Sequence, residues 1–340
     1  MKKIFLICWI VLFALGCGNK KNIPDVSDIQ VNAKIERFDK AFFSVDTNNI
    51  KQGLYNLTKQ FPYFTNDFVA NVLGVAPLND TSITSFIACR NFISTYNSLK
   101  DSLEPKFQNL DWLEKELKNS FQFVKYYFPK YQLPQKIITY IGPFDAPAVA
   151  LTPSALAIGL QLYAGKNFSF YTSVQGQEIY PKYISRRFEP PYITINCIKT
   201  ITEDLYPDNG ENKSLIEQMI KKGKYWYLLD KFLPETADSL KTGFSQKQLE
   251  WCEKNEGSIW NFFLQSENEL YTIDPDIIKN YIGEAPNTAG MPDVSPGNIG
   301  QWVGWQIVKK YAEKNPNITP AELMNADEKK IFDETKYKPR

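Results

Sequence analysis

The chain has 340 residues, with 39 Lys or Arg against 38 Asp or Glu, a formal net charge of +1, and no histidine. Charges of both signs are interspersed and no basic stripe forms, which excludes nucleic acid as a partner. The missing imidazole excludes Ser-His-Asp and Cys-His nucleophiles, the HExxH zinc site and every His-ligated metal centre, so an enzyme here would run on carboxylates, Lys, Tyr or thiolate alone.

Lys2 and Lys3 precede an apolar run from Ile4 to Leu15, too short to cross a bilayer and suited to a signal peptide. Phe13-Ala14-Leu15-Gly16-Cys17 then fits a bacterial lipoprotein cleavage site: a small residue, followed by a cysteine whose thiol takes the diacylglycerol. Residues 1–16 are therefore expected to be removed, leaving Cys17 acylated (palmitate being one such chain) and held to the membrane by lipid. Loss of Lys2 and Lys3 changes +1 to −1, because the first 16 residues hold no acid. Residues 17–28 read as a short tether and 29–340 as one globular domain, with no Gly/Ser or Pro-rich linker inside it. Gly18-Asn19-Lys20-Lys21 carries no acidic run of the kind that would signal export to the cell surface, which favours a periplasm-facing envelope location.

Ile29, Val31, Ala33 and Ile35 alternate with polar residues and predict a half-buried strand. Arg37 and Asp39 flank Phe38 as a local ion pair at the start of a helix. Two amphipathic helices follow, Ser82–Leu103 and Leu110–Phe128, the second stopped by Pro129. Lys136–Ile141, Ala148–Leu151 and Ala155–Leu160 supply short strands, so the expected class is α+β, predominantly helical, with one sheet of three or four strands packed by helices. Helices are then expected over Gln177–Phe188, Pro190–Leu205 and Ser214–Phe232. Another opens at Ser245, with Gln248 completing a capping box and Phe244 with Leu249 a hydrophobic staple, and carries Trp251–Phe263. Asp274-Pro275 starts a further helix, and Thr319 with Glu322 caps the last.

The stretch SPGNIGQWVGWQIVKKY from Ser295 predicts a helix capped by Ser295, with Pro296 at its first position. At helical period Gly297, Gly300 and Gly304 share a face, flanked by Trp302 and Trp305. Interior glycines cost about 1 kcal/mol each against alanine, so such a face signals bare backbone pressed on a neighbour. Its alternative role is to line a ligand site. Carboxylates that could serve a hydrolase are Glu178, Glu189, Glu203 and Asp204, and a glycan-binding module would expose Trp302, Trp305 or Tyr225 to Tyr227. Cys89, Cys197 and Cys252 match no zinc spacing and sit among apolar neighbours, as buried packing residues do, although two of them could pair outside the cytoplasm. No metal or cofactor is expected.

Several segments together resemble the GldB gliding motility lipoprotein family: IERFDKAFF from Ile35, KYYFPKYQLP from Lys125, YPKYISRRFEPPYI from Tyr180, LEWCEKNEGSIW from Leu249, ELYTIDP from Glu269, the glycine-faced stretch, and the terminal KYKPR. The likeness runs from the lipobox to the last residue. It implies an envelope-anchored protein required for gliding, associated with the motility or secretion machinery, and it brings no catalytic residue, cofactor or metal. On this basis the chain is a non-catalytic scaffold that binds envelope partners and, through Cys17, the bilayer. A weaker likeness is to zinc peptidases, which also place a small sheet before an HExxH helix and a glycine-rich helix near the end. In such a degenerate zincin-like plan the metal helix would be Pro190–Leu205, which here has no histidine.

Overall fold

The computed structural model describes residues 23–78, 83–208, 212–265 and 267–339. The segment expected to be removed, residues 1–16, and Cys17 lie outside them. Val26 is buried, and the carbonyls of Ser27 and Ile29 accept hydrogen bonds from Gln122 Nε2 at 3.3 and 2.9 Å. The chain is thus docked from Val26, within the stretch expected as tether.

Strand β1 is only Ile35–Arg37. The expected strand from Ile29 keeps its alternating burial but forms no ladder before Ile35. The pairing Ile35 with Ile137 would set Asn32 opposite Pro134, which has no N–H to give, and Asn32 Nδ2 donates to the Gln135 carbonyl instead, at 3.2 Å. Helices α1 (Phe38–Phe43), α2 (Ile50–Gln60), α3 (Ile83–Phe107) and α4 (Asp111–Tyr127) follow, then strands β2 (Ile137–Tyr140), β3 (Val149–Leu151) and β4 (Leu156–Gly159). The sheet order is β1-β2-β4-β3, parallel except for β3, which runs antiparallel along the edge.

The remaining elements used below are α5 (Tyr192–Leu205), α6 (Leu215–Phe232), α7 (Gln246–Lys254), α8 (Glu256–Gln265), α9 (Pro275–Ile282), α10 (Ile299–Lys314), α11 (Pro320–Asn325) and α12 (Glu328–Thr335). The class is the expected one, predominantly helical α+β around one four-stranded sheet. The capping boxes at Ser245 and Thr319 are formed, and Asp274 caps α9 with Pro275 at its first position. Three boundaries differ from expectation. Gln177–Phe188 is two short helices, Val174–Ile179 and Lys182–Ser185, divided at Pro181, which cannot continue a helix. The helix expected to run on through Phe263 breaks at Asn255, whose Nδ2 donates to the Trp251 carbonyl at 2.8 Å. Helix α10 starts at Ile299 rather than after Ser295. Ser295 Oγ accepts the Thr288 N–H at 3.1 Å, and Thr288 Oγ1 donates to the Pro296 carbonyl at 2.5 Å, tying both residues into the preceding loop.

The pleat of the sheet separates two cores. Ile35, Ile137, Leu156 and Ile158 point toward the large core of α4, α5, α6 and α10, while Ile138, Tyr140, Ala155 and Ala157 point toward a core of α1, α2 and the aromatics Phe61, Phe64, Phe68 and Phe92. The Arg37–Asp39 pair, with contacts of 2.6 and 2.9 Å, does more than close a local turn. Asp39 also accepts from Thr139 Oγ1 of β2 at 2.6 Å, and Arg37 Nη1 donates to the Phe107 carbonyl at 2.7 Å. It therefore joins β1, β2 and the end of α3.

Candidate functional site

Helices α6 and α10 meet through bare backbone. A Cβ on Gly304 would lie 1.7 Å from the Met219 oxygen, and one on Gly223 would lie 2.2 Å from the Gly304 carbonyl carbon. Gly300 presses on the Tyr281 oxygen and Met219, while Gly297, outside the helix, presses on the Ala285 backbone. Trp302 and Trp305 are 2% and 3% exposed. Trp305 Nε1 donates to Asp230 at 2.8 Å, and Asp230 also takes Lys241, which is held a second time by Asp238 at 2.7 Å. Tyr225, Trp226 and Tyr227 are buried as well, so the rings named for a glycan platform have no open face to offer. Gly223, the other half of the contact, is invisible to a search for glycine at helical spacing because it stands alone in its own helix.

The four candidate carboxylates do not converge. Glu178 is exposed on the Val174–Ile179 helix, and Glu189 accepts the Lys166 N–H at 3.0 Å before α5 begins. Glu203 and Asp204 are exposed at the far end of α5, where Asp204 accepts from Tyr131 OH at 2.7 Å. A 14-residue helix between Glu189 and Glu203 spans about 20 Å, beyond the reach of paired acid–base chemistry. Helix α5, expected to carry the metal in a zincin-like plan, packs against edge strand β3 but offers no ligand set. Among the described residues no group of three His, Cys, Asp or Glu could hold a metal ion. The three cysteines are buried and unpaired. Burial pushes the Cys89 thiol up to about 12 and raises Cys197 and Cys252 too, so none offers a thiolate near neutral pH.

Two places remain that composition does not reveal. The first is a cavity of about 180 Å³ between α5, α6 and α10, lined in part by Lys199, Glu203, Lys222 and Gln301. Lys224 and Lys241, the deepest lysines, each hold a carboxylate, at 2.6 Å in the case of Lys224 and Glu328. The half-buried Lys199 amine has no hydrogen bond or ion pair with any described residue. Burial first, and then the neighbouring Arg187, bring it down to about 8, where part of it is neutral at physiological pH. Such an amine can act as a nucleophile or accept a proton, yet no second reactive group is positioned on it.

The second is a groove of about 840 Å³ where the amino ends of β2 and β4 meet the turn Phe64–Asp67. Its walls are Leu133, Pro134, Leu151 and Pro153 with the amides of Asn66 and Gln135, and Tyr63, 76% exposed, stands on its rim. Both charges in it are engaged: Asp67 accepts from Asn71 at 2.7 Å, and Lys136 pairs with Glu36 at 2.9 Å. This is an apolar and amide surface suited to holding a chain, with no titratable pair free for chemistry. Among the described residues no helix is long and apolar enough to cross a membrane.

The family described as gliding motility protein GldB matches residues 19–339. No curated protein and no solved structure matches the chain significantly.

Proposed function

The chain belongs to the gliding motility protein GldB family, whose members are lipoproteins, and we propose that it is a lipid-anchored envelope protein required for gliding that holds protein partners without turning over a substrate. Acylated Cys17 fixes it to a membrane, facing the periplasm, and its partners belong to the motility or secretion machinery. The observation that carries the non-catalytic part is the groove beside Tyr63, a wide apolar and amide concavity whose Asp67 and Lys136 are already bonded within the protein. The scattered carboxylates and the raised thiols support the same reading, and the sheet shared by both cores supports residues 29–340 acting as one globular domain.

The test is surface spreading by a strain carrying only a Cys17→Ala or a Tyr63→Asp copy. Both are expected to stop spreading, the first by releasing the protein from membranes and the second by losing crosslinked partners while the protein stays folded and anchored. Normal spreading by a deletion strain overturns the role in gliding. Stoichiometric zinc in the purified protein, or hydrolysis that Glu189→Gln removes, overturns the non-catalytic assignment.

A further inference from the structure

We propose that the carboxyl end of α4 around Tyr126 lies against the bilayer, so that the body has a fixed side toward the lipid instead of swinging freely on its anchor. This rests on acylation of Cys17. Five residues lie between Cys17 and Ile23, and the six extended steps that join the two reach at most about 22 Å. Ile23 is therefore kept near the headgroups whatever path the intervening residues take.

Hydrogen bonds then show which surface Ile23 brings with it. Gln122 Nε2 clasps the carbonyls of Ser27 and Ile29, and Tyr126 stands one turn further on the same face of α4. Ile23 is 39% exposed and Tyr126 48% exposed. Lys118 and Lys130 are exposed on the same helix and just past its end, and Lys20 and Lys21 precede Ile23 in sequence. The acids here are Asp25, Asp28, Glu114, Glu116 and Asp204, of which Glu114 accepts the Ile35 N–H at 2.8 Å, Glu116 accepts from Thr194 Oγ1 at 2.6 Å and Asp204 from Tyr131 OH at 2.7 Å. An exposed tyrosine and isoleucine accompanied by long lysines is the composition that settles at a lipid headgroup layer, the ring in the interface and the amines on phosphate.

Composition alone would not choose this side, because Tyr271 and Ile273 are exposed by 53% and 63%. The anchor chooses. Phe232, at the end of α6, meets Tyr127 and Phe128 at centroid distances of 6.5 and 5.7 Å, whereas Leu215, at its start, donates to the Thr272 carbonyl at 2.9 Å. The 18 residues of α6 put about 27 Å between those ends, so Ile273 lies on the side away from the tethered face.

The experiment uses the mature acylated protein in vesicles of anionic and zwitterionic lipid, with a quencher on a fraction of the headgroups. A fluorophore is placed through Tyr126→Cys or Ile273→Cys; the native thiols at 89, 197 and 252 are buried and stay unlabelled. Fluorescence at 126 is expected to fall several-fold more than at 273, with both proteins floating with the vesicles. Equal quenching at the two positions, or stronger quenching at 273, in protein that floats overturns the orientation and leaves the anchor intact. Failure of the wild-type protein to float overturns the anchor and the orientation with it.

Discussion

Beneath β2, Phe38 meets Phe42, Phe61, Phe64 and Phe68 at centroid distances of 5.5, 5.3, 4.9 and 5.1 Å, the second and third edge to face. Across the same sheet, α6 and α10 meet with no side chain between them at Gly223 and Gly304. A ring cluster spreads its contacts over many partners, and a smaller side chain leaves a gap its neighbours can partly close. Backbone against backbone has nothing that can rotate aside. The first core resists loss of volume, and the second resists gain of it.

The largest expected effect falls on the second core. Gly304→Leu would drive its side chain into the Met219 carbonyl, costing about 4 kcal/mol or more, enough to deplete the native state of a marginally stable protein in a denaturant titration. Gly304→Ala and Gly223→Ala should each destabilise, although alanine is the better helix former, and the double variant should cost less than their sum because one separation of the helices accommodates both. A ΔTm near zero for Gly304→Ala would break the comparison.

Next is the buried charge in the middle of α6. Removing the charge at Glu328 by Glu328→Gln strands Lys224 and should cost about 3 kcal/mol. Burial raises Glu328, but hydrogen bonds from Lys213 and Lys224 outweigh it and hold the carboxyl below its usual range. A carboxyl lowered in the folded state stabilises above its unfolded pKa, and that contribution disappears as pH falls through the folded value. Acid unfolding monitored by circular dichroism should therefore begin below about pH 4.5 and start higher in Glu328→Gln.

On the ring side, Phe68→Leu should cost only about 1 kcal/mol, since its neighbours can close in. The smallest effect, and one of opposite sign, is at Lys199, where Lys199→Gln removes an amine whose charge burial penalises and should raise Tm slightly at neutral pH. Its chemistry should be conspicuous all the same. The rate of acylation at this position, followed by peptide mass, should rise through a midpoint of about 8, and Arg187→Gln should move that midpoint upward. The unfolded lysine keeps its proton between about pH 8 and 10 while the folded one has lost it, so this residue makes stability rise with pH across that window. A midpoint equal to that of the exposed lysines would remove Lys199 from consideration as a distinct site.

The sites were only half legible. Gly300 and Gly304 announce a close contact because helical spacing is local, but Gly223, which meets Gly304, is a single glycine some eighty residues away. Lys199 reads as an ordinary polar position on an amphipathic helix, and its isolation comes from three helices that surround it. The groove draws on Tyr63, Leu133 and Leu151, which no periodicity connects. The aromatic run Tyr225 to Tyr227 suggests a platform, but three consecutive residues fan out over about 200° of the helix, so packing on several sides decided that all three rings would be enclosed.

What the chain determines by itself are the features settled within a few residues. Ser245 with Gln248, Thr319 with Glu322, and Asp274 before Pro275 fix helix starts, because each cap satisfies orphan N–H groups next to it. The alternating burial from Ala33 into β1 is of the same local kind. The late start of α10, the clash-free meeting of Gly223 with Gly304, and the direction in which Tyr126 faces depend on groups far apart in sequence. Those were decided only when folding brought Thr288 to Pro296, α6 to α10, and Gln122 to the carbonyls of Ser27 and Ile29.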